Sequence, residues 1–239
     1  MKNALQTDPV ATGPADSRYV TKSYIGDLDG NVWRFDISLN GSNIPIVNNR
    51  VKLYASGADQ PIFNSMATVN VGGTQQYIFY GTGSDLLPQT DKNTVYRLLG
   101  VLDNGATGSK TMERLLTKTG TSSVTSDERV TAFPAVAGDI VFFTTTLLKT
   151  LCVAPDANLY AFTFIGGPAY DNSGDNTIGK TDTPLVKTIA GVRATAPYIV
   201  DQHLVFGAGG TVSIFGDSSD YNNGIGQAGV RILSWREVR

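Results

Sequence analysis

The 239-residue chain holds one cysteine, Cys152, and one histidine, His203. A single thiol excludes an internal disulfide and any multi-cysteine zinc site, and a single imidazole excludes every site built on two or three histidines. As the only thiol, Cys152 is expected as a small packed residue, since free cysteine is among the most buried types. Positive charge is also scarce: 19 Lys and Arg stand against 21 Asp and Glu, a net charge of −2, with no basic run. Neutralising phosphates or an anionic membrane needs a concentrated basic face, so the balance argues against nucleic acid and charged lipid as partners. Long apolar runs are missing as well. The longest, 140–148, contains three threonines and falls well short of the ~20 residues of a spanning helix. Residues 1–19 carry Pro9, Gly13 and Pro14 without an apolar stretch, so they do not read as a secretory signal.

Helical periodicity is nearly absent. What is present is strand signal, in short runs of Val, Ile, Thr, Tyr and Phe bounded by Gly, Asn, Asp and Ser. These runs predict strands over 22–28, 32–37, 51–55, 66–70, 76–81, 94–102, 132–137, 139–145, 158–165, 196–200, 203–208, 211–215 and 230–237. Asp29-Gly30 reads as a two-residue hairpin turn, as do Asp201-Gln202 and Gly209-Gly210. With 41% hydrophobic residues at this length, the chain has enough apolar mass to fold without covalent staples.

One phrase recurs: an aromatic or apolar triplet ending at a small residue, in Tyr24-Ile25-Gly26, Phe79-Tyr80-Gly81, Phe142-Phe143-Thr144 and Val205-Phe206-Gly207, at spacings of 55, 63 and 63 residues. A period in this range indicates a radial β array. The expected fold is therefore all-β and β-propeller-like, an incomplete ring of about four blades over residues 19–239, preceded by an irregular segment over 1–18. An open arc leaves edges and faces uncovered, which points to a missing N-terminal portion. Residues 103–128 read as a long surface excursion with a short strand or helix near 111–116, and 166–183 as a second polar loop.

Other patterns fail on context. Gly224-Ile-Gly226-Gln-Ala-Gly229 matches a dinucleotide fingerprint in letters but sits between a polar loop and a strand signal. The run Asp27-Leu-Asp29-Gly30-Asn31 lacks the glycine and glutamate positions of an EF-hand and reads as a hairpin turn. His203 follows Asp201 by two residues, but no nucleophile elbow accompanies them. Trp33 and Trp235 read as inter-blade core.

The string Tyr24-Ile-Gly-Asp-Leu-Asp-Gly-Asn-Val-Trp-Arg-Phe-Asp36 resembles the blade motif of the C-terminal propeller in the PilC/PilY family of type IV pilus assembly factors and tip adhesins. Tyr80-Gly-Thr-Gly83 with Thr94-Val-Tyr-Arg-Leu-Leu-Gly-Val-Leu-Asp103 is similar to the family's "FGTG… LYGVWD" stretch. Arg129-Val-Thr-Ala-Phe-Pro134, Val141-Phe-Phe-Thr-Thr145 and Cys152 resemble its "RVV..P… VFFTT… C" stretch, and Ser234-Trp-Arg-Glu237 its closing "SWRE".

The resemblance implies a non-enzymatic, exported module at the cell surface, outer membrane or pilus tip. It would promote pilus extension and surface attachment, joined to a larger N-terminal region and ending near the natural C-terminus. The implied partners are minor pilins or the assembly machinery, together with a host or abiotic surface. The family also carries a calcium loop just before the blade motif. It corresponds here to Asp8, Gly13 and Asp16, with Val10 and Thr12 in place of two ligands. Asp171 and Asp175 form a second, weaker cation pattern. The expected interaction surface is the loop containing Asp171, Asn172 and Asp175 together with Asp217, Asp220 and Asn222, chosen for loop length and Asn/Asp/Gly content. Two other classes stand beside it: a quinoprotein-like dehydrogenase fragment, which shares the blade phrase and needs cations and carboxylates converging on the propeller axis, and a glycan-binding propeller, which would stack sugar on an exposed Tyr or Trp.

Overall fold

The structure, a computed structural model, describes residues 4–14, 19–57, 59–83, 94–120, 125–149, 152–200, 203–208 and 211–215. The described residues form strands and connections, with no helix long and apolar enough to cross a membrane. Strands β1 (Val10–Thr12), β2 (Lys22–Gly26), β3 (Asn31–Leu39) and β4 (Pro45–Ala55) make the first antiparallel sheet, in chain order. The second sheet repeats the plan with β5 (Ala67–Val71), β6 (Gln75–Gly81), β7 (Arg97–Asp103) and β8 (Gly108–Leu115). Next come β9 (Lys118–Gly120) and β10 (Thr125–Val130), then β11 (Ala135–Ala137), β12 (Ile140–Leu148), β13 (Asp156–Thr163) and β14 (Leu185–Ile189). Here the long β12 pairs with β11 through its first three residues and with β10 through its last four. The fourth sheet is β15 (Tyr198–Val200), β16 (His203–Ala208) and β17 (Thr211–Phe215).

Period-two alternation explains how these sheets stack. On β6, Ile78 and Tyr80 join a core shared with the first sheet, while Phe79 joins the core shared with the third. On β12, Val141 and Phe143 face the second sheet and Ile140 and Phe142 the fourth; on β13, Tyr160 and Phe162 divide from Leu159 and Ala161 in the same way. A strand buried on both faces shows no alternation, as Ile140–Phe143 at the head of β12 shows. The threonines 144–146 that follow are buried too, the Thr144 hydroxyl donating to the Thr195 carbonyl and that of Thr145 to Glu128. The opening strands β1, β5, β11 and β15 touch one another in that order, as the inner strands of successive blades do around an axis. The described residues form a propeller-like array of four blades.

Several expectations need correction. Val10–Thr12, placed in an irregular segment by its prolines and glycine, pairs with β2 as the first strand of blade 1. Residues 103–128 are largely strand: the short element expected near 111–116 is β8, and β9 and the start of β10, which were not expected, follow it. β8 is an outer edge strand with Met112 as its one fully buried residue, so it carries no apolar alternation. The signal in β10 is masked by Asp127, Glu128 and Arg129, all buried. The turn after β2 holds three residues, 28–30, between the Asp27 N–H and the Asn31 carbonyl it donates to at 3.0 Å, with Gly30 left-handed at φ 77°. Trp33 is half-buried; its indole N–H donates to Asp27 at 2.7 Å, and Arg50 lies 5.8 Å above its ring. Cys152 is exposed, in a left-handed backbone conformation at φ 67°. The expected strand 230–237, Trp235 and the turns at 201–202 and 209–210 lie outside the described residues.

Candidate functional site

The loop between β13 and β14 is the part of the expected interaction surface that the structure describes. It leaves β13 through a turn in which the Gly166 N–H donates to the Thr163 carbonyl at 2.9 Å, with Gly166 at φ 91°. Ala169 then anchors the chain in the core shared with blade 4. From Asn172 to Thr177 the chain faces solvent, and the loop is held by its own carboxylates. Asp171 accepts the Gly174 N–H at 2.7 Å on one oxygen and the Asn176 N–H at 2.7 Å on the other. Asp175 accepts the Thr177 N–H at 2.9 Å and its hydroxyl at 2.7 Å.

Asp182, which sequence reasoning passed over, is the centre of this loop. It is buried, and its carboxylate takes the Asn172 and Ser173 N–H groups at 3.0 Å each and the Gly179 N–H at 2.8 Å. Asn172 ties the two ends together: its amide donates to the Thr183 hydroxyl at 2.9 Å and its side-chain oxygen accepts the Thr183 N–H at 3.2 Å. The Thr177 hydroxyl and N–H hold the Asp175 carboxyl below the ordinary range, and the Gly179 N–H does the same for Asp182. Donors in the loop itself therefore occupy these carboxylates. What the loop offers is an ordered, acidic surface shaped by its backbone.

Among the described residues no group of three or more His, Cys, Asp or Glu is placed to hold a metal ion. Asp8 is exposed, and its main-chain carbonyl accepts the Ser65 hydroxyl at 3.2 Å. Its expected co-ligand Asp16, and the expected interaction residues Asp217, Asp220 and Asn222, lie outside the described residues. The structure thus brings Asp171, Asn172 and Asp175 together in one loop and adds Asp182 to them.

Buried charge lies instead at the blade junctions. Between blades 1 and 2, Asp103 accepts Arg34 at 2.6 Å, Tyr24 at 2.7 Å, the Gly105 N–H at 2.8 Å and Lys22 at 3.2 Å. Burial alone would disfavour the Asp103 charge, but the Tyr24 hydroxyl, the Gly105 N–H and the two cations outweigh it and hold the carboxyl below its usual range. Burial pushes the Tyr24 phenol up, with Asp103 adding to the effect. In blade 3, Glu128 takes the Tyr160 hydroxyl at 2.7 Å, the Asn158 amide at 2.9 Å, the Thr145 hydroxyl and the Thr117 N–H at 3.0 Å. Beside it, Arg129 donates to Asp127 at 2.6 Å and lies 5.3 Å over the Tyr96 ring. A repeat visible in the sequence marks this place, Arg129-Val-Thr-Ala132 and Arg193-Ala-Thr-Ala196, each leading into the first strand of a blade.

No family model and no curated protein sequence matches the chain. Among solved structures, the crystal structure of the Pseudomonas aeruginosa PilY1 C-terminal domain superposes on it with a TM-score of 0.54 and 13% identity. The match covers 87% of this chain and 60% of that one, so the chain spans less than two thirds of the PilY1 domain's length. The superposition gives this chain the β-propeller-like fold of the part of the PilY1 C-terminal domain that it matches.

Proposed function

We propose that the chain is a non-enzymatic module of a type IV pilus factor that acts at the cell surface, promoting pilus extension and attachment through its exposed loops. The observation that carries this reading is the fold shared with the PilY1 C-terminal domain over 87% of the chain, together with the blade phrases in family order. The buried charges support a binding module over a quinoprotein-like enzyme: Arg34 is closed on Asp103, and Arg129 on Asp127. The partners in this reading are minor pilins or assembly proteins and a host or abiotic surface. They would be met by the Asp171–Asp182 loop of blade 3 together with Asp217, Asp220 and Asn222. Calcium enters the reading as a ligand of Asp8 and Asp16, and calorimetric titration of the chain and of Asp8→Ala with calcium tests that part.

The test of the main reading replaces residues 171–182 by a Gly-Ser linker in the native host. Fewer surface pili or weaker attachment is the expected result. Pilus number and attachment equal to the parent strain would overturn the loop's role.

A further inference from the structure

An asparagine followed by glycine carries a reaction of its own: the glycine amide nitrogen can attack the asparagine side-chain carbonyl, with no side chain on the glycine to hinder it. Two such pairs lie among the described residues, Asn40-Gly41 and Asn104-Gly105. Both sit in hairpin turns, and their hydrogen bonds are opposite in kind.

Asn40 opens the turn between β3 and β4. Its N–H donates to the Ile44 carbonyl and its own carbonyl accepts the Asn43 N–H, both at 2.9 Å, with Asn43 left-handed at φ 59°. The Asn40 side-chain oxygen lies over the same turn and accepts two further N–H groups, from Ser42 at 2.9 Å and from Ile44 at 3.0 Å. The ring closed by the Ser42 bond runs through the Asn40 Cγ and the Gly41 nitrogen, which holds electrophile and nucleophile in one small loop. Gly41 is exposed, and among the described residues a Cβ on it would meet nothing within 4 Å, so water and hydroxide reach its N–H.

Asn104 is held against the same reaction. The Gly105 N–H, whose proton would have to leave, donates to the buried Asp103 carboxylate at 2.8 Å. The Asn104 amide nitrogen, which would be the leaving group, donates to the Ser109 hydroxyl at 2.6 Å. A hydrogen bond to a charged acceptor is among the strong ones, so the nucleophile of this pair is occupied.

We propose that Asn40 is a site of self-modification, converting to aspartate and isoaspartate in the folded chain while Asn104 persists. The Gly41 nitrogen loses its proton to hydroxide and forms a bond to the Asn40 Cγ. The charge that develops on Oδ1 falls where the Ser42 and Ile44 N–H groups already point, as in an oxyanion hole. The bond from Cγ to Nδ2 breaks, and Nδ2 leaves as ammonia with a proton from water, which gives a succinimide. Water then opens it: cleavage between Cγ and nitrogen yields aspartate, and cleavage at the main-chain carbonyl yields isoaspartate, whose backbone runs through Cβ and Cγ. One water enters, one ammonia leaves, and nothing is oxidised or reduced. Either product adds a negative charge at the tip of the β3–β4 hairpin, beside the exposed Ile44 and Val47. Isoaspartate also takes the carbonyl that Asn43 donates to out of the main chain. The inference stands apart from the pilus reading, and its readout does not depend on it.

The test incubates the full chain in mildly alkaline buffer made with isotopically labelled water, native and in denaturant, and reads both sites by peptide mapping with mass spectrometry. In the native chain Asn40 is expected to react at least about tenfold faster than Asn104, the factor that one charge-assisted hydrogen bond is worth. In denaturant the rates should converge, so that folding slows Asn104 and leaves Asn40 as fast or faster. Gly41→Ala, which fits the open space, should slow Asn40 severalfold. Asn104 keeping pace with Asn40 in the native chain, protection of Asn40 by folding, or an unslowed Gly41→Ala would each overturn the proposal.

Discussion

The Tyr24 hydroxyl meets the Asp103 carboxylate at 2.7 Å across the junction of blades 1 and 2, and the same carboxylate holds Arg34 at 2.6 Å. Asp103→Ala strands a buried guanidinium and a buried phenol, which places the loss at about 3–5 kcal/mol. Urea unfolding of the variant against the parent measures it, and a loss below about 1 kcal/mol would show that the cluster does not hold the junction.

Acid should weaken the fold through the same group. The Asp103 carboxyl is held below its ordinary value in the folded chain, and Asp27 is too: burial opposes its charge, but the Trp33 indole, the Asn31 amide and two backbone N–H groups overcome that. A depressed carboxyl contributes stability that is complete above the unfolded value of about 4 and is lost as pH falls through the folded value. Thermal midpoints should therefore be insensitive to these groups near neutrality and fall below about pH 4. In Asp103→Asn the acid-side slope should be shallower.

At the second junction, Gly81→Ala drives a methyl group into Val130, a Cβ position 2.1 Å from its Cγ2. The cost is expected at about 1–3 kcal/mol. Val130→Ala in the same chain opens the space, so the double variant should lose less than the sum of the two single ones. Strict additivity would show that the two residues do not share the volume.

Cys152 is exposed at a turn. One equivalent of thiol should react with a disulfide reagent in the native protein, at a rate that denaturant raises only modestly. Protection of the thiol until unfolding would contradict its placement.

The acidic loop of blade 3 hangs on Asp182. Asp182→Ala releases three backbone N–H groups, those of Asn172, Ser173 and Gly179, and amide exchange across 171–183 should rise while exchange in β12 and β13 stays unchanged. Equal exchange in parent and variant would mean that Asn172 alone secures the loop.

The four blades of the described residues were legible in the sequence because interior strands such as β12 are buried on both faces and open on apolar runs like Ile140–Phe143, and a small residue must recur where the next blade's lead-in crosses. Edge and charged strands were legible only in part, β8 as no more than a short strand or helix near 111–116 and β10 not at all. β8 has a single fully buried residue, Met112, and β10 carries Asp127-Glu128-Arg129 inward, where ion pairing and hydrogen bonds replace apolar burial. The candidate loop was visible as a polar stretch, and Asp171, Asn172 and Asp175 do share one framework within it. Asp182 escaped because a carboxylate that gathers backbone N–H groups from nine and ten residues upstream leaves no local pattern. Cys152 was misplaced because burial statistics for a residue type carry no information about a particular turn.

The alternating allegiance of β12 and β13, with one row of side chains given to blade 2 and the next to blade 4, has a kinetic meaning. No blade owns a complete core, so a single sheet has little reason to fold before its neighbour exists. During synthesis, order would spread along the chain one junction at a time. The blade most recently formed would keep a sticky flank until the next arrived, and pauses between blades would be the moments of greatest hazard for aggregation.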